Sequence, residues 1–300
     1  MRILVVGGGF SKEREVSLRS SRAVFEALKL TDYQTEYLDW DGEHEELINA
    51  CKDFNIVFPV LHGIGGEDGQ IQEILEGIDI KFVGCSSKVS KVCIDKQQTK
   101  QLLAEHNILT PAGSVLDYQG YINSELSSGL HIVKPIFEGS SFDTFILNED
   151  VDEDYSDKIK QAFADNQHML VEEYIKGDEI TAPILTGKDL PVIEIIPPTG
   201  QWFDYANKYN GSTIEACPPQ NVSQKKQVQA KELANKVHEI VGARHFSRVD
   251  MIIRGDKIFV LEINTIPGMT SQSLFPKAAS VAGMDMKTLV KYLVDLANKE

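Results

Sequence analysis

RVDMIIRGDKIFVLEINTIPGMTSQS, running from Arg248 to Ser273, decides how the rest of the chain is read. Two apolar, β-branched runs, residues 249–253 and 258–263, flank Arg254-Gly255-Asp256-Lys257, which is turn chemistry between two strand patterns. The expectation is one antiparallel hairpin. With a three-residue loop, Gly255 to Lys257, Asp250 falls opposite Glu262. A two-residue loop puts the two carboxylates on opposite faces, and the cluster must then be assembled by a bulge. Asn264 shares a face with Glu262 because strand side chains alternate. Asp250, Glu262 and Asn264 are thus a candidate all-oxygen cluster suited to a hard cation, Mg²⁺ best. Two carboxylates a few ångströms apart would force one to protonate, and a divalent ion removes that penalty. The plainer reading is a pair of solvent-face residues. Against it, Glu262 lies inside the apolar run V-L-E-I-N, and Asn264 to Thr270 then leave the strand as a backbone-rich loop, where ligands usually bind.

The 300 residues, 42% of them hydrophobic, allow two or three domains with cores of their own. Acidic residues number 45 against 30 basic, a net charge of −15, which argues against nucleic acid or an anionic membrane as the main partner. Any phosphate must therefore be met by local cations. Cys51, Cys85, Cys93 and Cys217 show no C-x-x-C pairing and no regular spacing, so neither a disulfide framework nor a zinc site is expected. The start, MRILVVGGG, is too briefly apolar for a signal peptide, and no run reaches membrane-spanning length. A soluble protein of the reducing cytoplasm fits these features.

Outward from the hairpin, residues 3–6 read as a buried strand that turns through Gly7-Gly8-Gly9 into a helix, with Leu18, Ser21, Phe25 and Leu28 at helical spacing. A dinucleotide fingerprint needs a third glycine where Lys12 stands, so that reading is weak. Glu13 at the mouth of this helix is either a site residue or a simple complement to the helix dipole. A second buried strand, 56–61, leads into HGIGGEDGQ, whose glycines let backbone approach a small ligand, with His62 as the candidate side chain. A helix over 70–77 and a strand over 81–84 complete an open α/β unit.

A new unit begins near Asp95, which with Gln98 forms an N-terminal capping pattern and places Lys96 in the first turn of a helix. There a cation is mildly unfavourable, so a compensating anion is expected unless the lysine is an ordinary surface residue. Residues 131–135 read as a strand ending at Lys134, followed by the small turn Glu138-Gly139-Ser140-Ser141, whose donors together with the lysine suit phosphates. No P-loop signature occurs. Residues 169–179 read as a strand running into a loop, a hinge whose exposed edge is free to pair with a nucleobase; Glu172 and Glu179 are otherwise routine surface charges. WFDYANKYNG, residues 202–211, lacks apolar periodicity and reads as an ordered functional loop. Ser223 is placed to cap a helix carrying Val228, Leu233, Val237 and Val241, and a last helix carries Leu289, Val290, Leu293 and Val294.

Taken in order, GGGFSKEREVS, HGIGGEDGQ, DKQQTK, VKPIFEGSS, EEYIKGDE, DYANKY and RVD with LEINTIPGMTSQSL resemble the D-alanine:D-alanine ligases of the ATP-grasp superfamily, from about residue 3 to residue 290. The resemblance implies an α/β protein with α+β elements and three domains: an open parallel α/β domain over 1–94, a central subdomain over 95–179 and a C-terminal domain over 180–300. The sheets of the last two would clamp ATP. It also implies roles. Lys96 and Lys134 resemble the phosphate-binding lysines, Ser141 lies in the loop over the triphosphate, and Lys208 resembles a γ-phosphate contact. Glu172 and Glu179 resemble the adenine and ribose contacts, with the backbone of Glu173 and Ile175 at the purine edge. Asp250, Glu262 and Asn264 correspond to ligands of two Mg²⁺ ions, for which Mn²⁺ can substitute. Arg248 and the Gly268 amide resemble donors to a tetrahedral intermediate. Glu13, Ser140 and Tyr209 resemble a hydrogen-bonded set that joins the first domain to a lid loop and orients substrate amines. His62 resembles the histidine beside the first substrate, and Ser273 and Leu274 resemble the holders of the second substrate's carboxylate.

The implied reaction joins two D-alanine molecules through an acyl phosphate, as a step towards peptidoglycan, in a homodimer whose partners are D-alanine and ATP. Rival readings are a ligase of the same family making a depsipeptide or D-alanyl-D-serine, and a non-catalytic ATP-binding relative. Tyr209 argues against the lactate version. One departure stands out: after Ser141 the family has a small apolar residue and glycine, whereas this chain has Phe142-Asp143. An anionic Asp143 there either weakens ATP binding or points to solvent.

Overall fold

The structure, a computed structural model, describes residues 1–139, 143–147, 153–198 and 213–300. Its first sheet is parallel, in the order β2-β1-β3-β4, from β1 (Arg2–Gly8), β2 (Gln34–Trp40), β3 (Ile56–Pro59) and β4 (Lys81–Phe82). Its central strands β1 and β3 are buried almost without a break, as strands covered on both faces must be. Helices α1 (Arg14–Lys29), α2 (His44–Cys51), α3 (Gln70–Gly77) and α4 (Ser87–Ile94) alternate with these strands.

The buried face of α1 differs from the apolar spacing: Ser17, Ser20 and Ser21 lie inward beside Val24, Ala27 and Leu28, while Leu18 and Phe25 are only half-buried. Hydroxyls can be buried here because the helix itself satisfies them. Ser21 Oγ donates to the Ser17 carbonyl at 2.7 Å, and Ser17 Oγ to that of Glu13 at 3.3 Å. Their small size also lets the helix approach β1 closely; a Cβ on Gly7 would lie 1.9 Å from Ser21 Oγ.

A second sheet is antiparallel, in the order β5-β8-β6-β7, from β5 (Gly113–Leu116), β6 (His131–Pro135), β7 (Phe145–Leu147) and β8 (Met169–Glu173). It is served by α5 (Lys96–Glu105), α6 (Tyr118–Ile122) and α7 (Glu153–Asn166). The Asp95 cap is present: Oδ1 accepts from the Gln98 amide at 2.9 Å, and the Gln98 side chain donates to Oδ2 at 2.7 Å. The expectation of an exposed strand edge over 169–173 is overturned. Paired on both sides, by β5 and β6, β8 offers no edge, and only the segment after it is open to a ligand.

The third sheet, order β11-β10-β9-β12-β13, is built from β9 (Asp178–Leu185), β10 (Ile193–Ile196), β11 (Ile214–Ala216), β12 (Phe246–Arg254) and β13 (Lys257–Asn264). Helix α8 (Gln224–Val241), capped by Ser223, covers it, and α9 (Leu274–Val281) and α10 (Met286–Asn298) follow. Leu289, Val290, Leu293 and Val294 of α10 share a core with Ile3, Val5 and Phe58, so the end of the chain closes one face of the first sheet. No helix among the described residues is long and apolar enough to cross a membrane.

His238 on α8 is buried, with Nδ1 2.7 Å from Ser247 Oγ, and burial pushes its pKa down to about 4. The neutral ring is therefore favoured in the fold. That contribution, about 3 kcal/mol at most, is present above the unfolded value near 6.5 and is lost as pH falls toward 4. Urea unfolding at pH 7 and pH 5 should show a drop in stability for the parent and a smaller drop for His238→Gln; equal drops would show that His238 does not carry it.

Candidate active site

The β12–β13 hairpin departs from the three-residue loop. Arg254 pairs with Lys257, leaving a two-residue Gly255-Asp256 turn with Gly255 at φ +59°, the left-handed conformation such a turn needs. Ile253–Ile258, Ile252–Phe259 and Met251–Val260 follow in register, and then the ladder shifts so that Asp250 faces Glu262. Leu261 is the extra residue of a β-bulge, which restores the parity that the short turn alone would have reversed.

Asp250 is held from several sides. Arg248 donates to both its oxygens, Nε at 2.9 Å and Nη2 at 2.8 Å, Thr181 Oγ1 donates at 2.5 Å, and Asn264 Nδ2 at 3.1 Å. Burial works against the Arg248 charge, but Asp250 more than offsets it, and the guanidinium is held above its ordinary range. Because the Asn264 amide nitrogen is committed to Asp250, its Oδ1 is the atom left to accept or to ligate. Glu262, with a quarter of its side chain exposed, has Lys96 Nζ 3.8 Å away. Two carboxylates and an amide oxygen on one face form a hard-donor set that fits Mg²⁺ with further oxygens from phosphate and water. Among the described residues no group of three or more His, Cys, Asp or Glu is gathered for a metal, and here the third donor is an amide oxygen.

Lys96 is not a surface lysine: it is 7% exposed at the start of α5 and donates to the Glu138 carbonyl at 2.5 Å. Burial lowers its pKa, and Glu262 is the anion that opposes the fall. Lys134, from β6, lies 2.6 Å from Oε2 of the buried Glu172. Burial pushes the Glu172 carboxyl up, but Lys134 and Lys100 outweigh it and the net direction is down. Glu172 is thus no routine surface charge. The Glu173 N–H is committed to the Ala112 carbonyl at 2.8 Å, so that donor is not offered to a base. Ile175 is buried against Ile252 and Phe259, with Leu261 packed beside them, an apolar floor joining the post-β8 segment to the hairpin. Glu179, near the start of β9, adds its charge to burial in raising the Tyr174 pKa.

On the side of the first sheet, His62 is buried, with Nε2 3.0 Å from Ser20 Oγ. Burial, together with the Arg248 charge and against a hydrogen bond to the Ile266 carbonyl, takes its pKa to about 4, so the ring is neutral near pH 7. Ser17 Oγ accepts the His62 amide at 2.8 Å, and Ser20 Oγ accepts that of Met269 at 3.3 Å. One helix face of serines therefore ties the histidine loop to the loop after β13. Sequence reading missed Ser17 and Ser20 because it sought apolar periodicity; the signal was a run of hydroxyls on one face of α1.

Glu67 was missed as well, although it stands inside the glycine-rich stretch. It accepts from the Gly63 amide at 2.8 Å, and burial first, then the Glu13 charge, raises its pKa to about 8. Glu13, 7% exposed, is approached by two glycines: a Cβ on Gly63 or Gly139 would lie 3.2 Å from its Oε1. Past the hairpin, the Ser273 hydroxyl accepts from the Thr270 amide at 3.1 Å, and Ser273 and Leu274 open helix α9, whose amide dipoles favour a carboxylate. A Cβ on Gly268 would lie 2.8 Å from Ser273 Oγ. Ser140, Ser141, Lys208 and Tyr209 lie outside the described residues, as does Phe142.

Asp143 is described, and it answers one of the two readings of the departure. At φ +49° it adopts the left-handed backbone that a glycine would, and its Oδ2 lies 3.3 Å from Lys12 Nζ, which also bonds Glu138 at 2.9 Å. Its charge is thus met by Lys12, in the segment before α1. Both partners are largely exposed, and such pairs contribute about 0 to 1 kcal/mol. Asp143→Gly should therefore change the KM for ATP by no more than about fivefold; a larger change would place Asp143 among the nucleotide contacts.

The profile described as "D-ala D-ala ligase N-terminus" matches residues 39–85, and that described as "D-ala D-ala ligase C-terminus" matches residues 109–295. A D-alanine--D-alanine ligase of Desulforudis audaxviator is 38% identical over 308 residues, covering 99% of each chain. The crystal structure of a D-alanine--D-alanine ligase from Bacillus anthracis complexed with ATP superposes with a TM-score of 0.83 at 31% identity, over 100% of this chain and 98% of that one. The VanG D-Ala:D-Ser ligase of Enterococcus faecalis superposes at 0.81 with 28% identity, over 99% of each chain. With matches at both ends of the sequence, full-length relatives at this identity and the same α/β architecture of one parallel and two antiparallel sheets, this chain belongs to the D-alanine–D-alanine ligase family.

Proposed function

We infer that this chain joins two D-alanine molecules into D-alanyl-D-alanine with ATP, releasing ADP and phosphate, to supply peptidoglycan precursor synthesis in the cytoplasm. The observation that carries the reading is the bulged hairpin, which sets Asp250, Glu262 and Asn264 on one face beside the buried Lys96. A carboxylate is too poor an electrophile for an amine, so activation comes first: a carboxylate oxygen of the first D-alanine attacks the γ-phosphorus, and the bond to ADP breaks. Mg²⁺, held by Asp250, Glu262 and Asn264, would neutralise charge on the phosphates. Lys96 and Lys134 add fixed positive charge there.

The amine of the second D-alanine, after losing a proton, attacks the acyl phosphate carbonyl. Arg248, whose planar donors are fixed by Asp250, and the Gly268 amide are the groups proposed to receive the oxyanion as it forms. Phosphate then leaves. Neutral His62 serves as a hydrogen-bond partner for the first substrate rather than as an acid. Ser273 and the start of α9 hold the second carboxylate. Water destroys an acyl phosphate, so the site must exclude it while the intermediate lives.

The likeness to VanG keeps a second reading in view, D-serine as the second substrate. Mass spectra of products from D-alanine alone, and from D-alanine with D-serine or D-lactate, decide between them. D-alanyl-D-alanine as the main product in each mixture is expected. A mixed dipeptide or a depsipeptide as the main product would sink the assignment, and no ATP-dependent phosphate release at all would indicate a non-catalytic relative. We further propose a homodimer, testable by light scattering.

A further inference from the structure

The stretch DKQQTK carries two lysines, and the reaction above uses only the first. Lys100, one helical turn after Lys96 on α5, is largely buried, with 14% of its side chain exposed. Its Nζ donates to the Pro111 carbonyl at 2.7 Å and is in close contact with Oε1 of Glu172. The other oxygen of that carboxylate, Oε2, faces Lys134 Nζ at 2.6 Å. One anion, 1% exposed, is thus shared by two cations from different elements. Oε2 has Lys134 Nζ beside it but no well-directed hydrogen bond, so it keeps room for a further donor. A carboxylate oxygen accepts more than one hydrogen bond, so this one can take a second donor beside Lys134.

The charge count shows why the second lysine matters. With Lys134 alone, Glu172 would form a neutral pair and compete with any phosphate for the ammonium. With Lys100 on Oε1, the group carries a net positive charge. The carboxylate plane is also fixed, so Oε2 cannot rotate to satisfy itself elsewhere. The family resemblance sets Glu172 against adenine, and the exocyclic amine of a 6-aminopurine is a donor of the kind that Oε2, beside a phosphate-binding lysine, would accept. A 6-oxopurine would set oxygen against oxygen.

We propose that Lys100 is a positioning residue for the nucleotide: by clamping Oε1 of Glu172 it presents Oε2 to a 6-aminopurine and leaves Lys134 charged for the triphosphate. The proposal rests on the ATP-dependent reading above. The competing role is a strut between α5 and the loop before β5, through the Pro111 carbonyl.

The test is the full enzyme with ATP and with inosine triphosphate, which bears oxygen at the 6-position, for the parent, Lys100→Met, Lys100→Gln and Lys100→Arg. A hydrogen bond to a charged group is worth about 1.5–3 kcal/mol, so Lys100→Met should raise the KM for ATP about 10- to 100-fold. The kcat and the KM for D-alanine should stay near the parent's, the preference for ATP over inosine triphosphate should shrink, and Lys100→Arg should recover most of both. Lys100→Gln keeps a donor for Pro111 without the charge, and should show the same KM shift even if Lys100→Met does not fold. An unchanged KM and unchanged base preference in Lys100→Gln, with only the unfolding temperature lowered, would make Lys100 a strut and overturn the proposal. A parent that makes the dipeptide equally well with either nucleotide would overturn it too. A parent that makes no dipeptide with ATP overturns instead the reading on which it rests.

Discussion

Replacing Glu262 with glutamine should remove nearly all turnover. The side chain keeps its size and its place on β13, so the effect isolates one negative charge. That charge sits opposite Asp250 through the bulge at Leu261 and 3.8 Å from Lys96. In the proposed site Glu262 would help to hold Mg²⁺, so without its charge the phosphates would face less compensation during transfer. Loss of one preorganised electrostatic contact typically costs about 3 to 4 kcal/mol, or 10²- to 10³-fold in kcat. Lys96 is affected as well: Glu262 opposes the fall in its pKa caused by burial, so the glutamine variant pushes that pKa lower still. The measurement is ADP release at saturating substrates over a Mg²⁺ titration, with Mn²⁺ binding followed by electron paramagnetic resonance. A variant within tenfold of the parent rate, binding Mn²⁺ as tightly, would remove Glu262 from the metal site.

Much of this site could be read before the structure, where local rules decide. Asp95 and Gln98 announce a helix start, and helix α3 occupies 70–77 as its spacing predicts, because caps and periodicity act within one or two turns. The hairpin was legible as a hairpin, but its register was not. A bulge adds a single residue, and V-L-E-I-N reads the same with or without it; only the ladder reveals that Leu261 is the residue left over. The strand over 169–173 shows a different limit. Its composition cannot tell an edge from an interior position, since its pairing partners on β5 and β6 come from 34 to 59 positions earlier.

Ser17 and Ser20 were passed over for the same reason in reverse. Hydroxyls on a helix look like exposed positions until the partners, His62 and Met269, arrive from 45 and 249 residues away. Glu67 and Lys96 are ordinary charges in sequence and perturbed ones in the fold, because burial and the neighbouring Glu13, Arg248 and Glu262 all come from tertiary packing.

Arg248 gives the other large effect. Arg248→Ala should lower kcat by about 10²- to 10³-fold, the worth of one donor to a developing oxyanion. Part of any such loss could come from the scaffold, since the guanidinium makes two bonds to Asp250 and breaking a buried pair costs about 3–5 kcal/mol. Arg248→Lys separates the two causes. It keeps a cation beside Asp250 but cannot reproduce the planar pair of donors, so stability should largely return while kcat does not. A second consequence follows from charge. Arg248 holds down the pKa of Glu67, already raised to about 8, and removing the cation lets it rise further. The alanine variant should therefore need higher pH than the parent to ionise Glu67, and a chemical-shift titration of that carboxyl would show it. An Arg248→Lys enzyme with near-parental kcat would mean that charge alone suffices at this position, and the oxyanion would then have to be met by the Gly268 amide and whatever else lines the loop after β13.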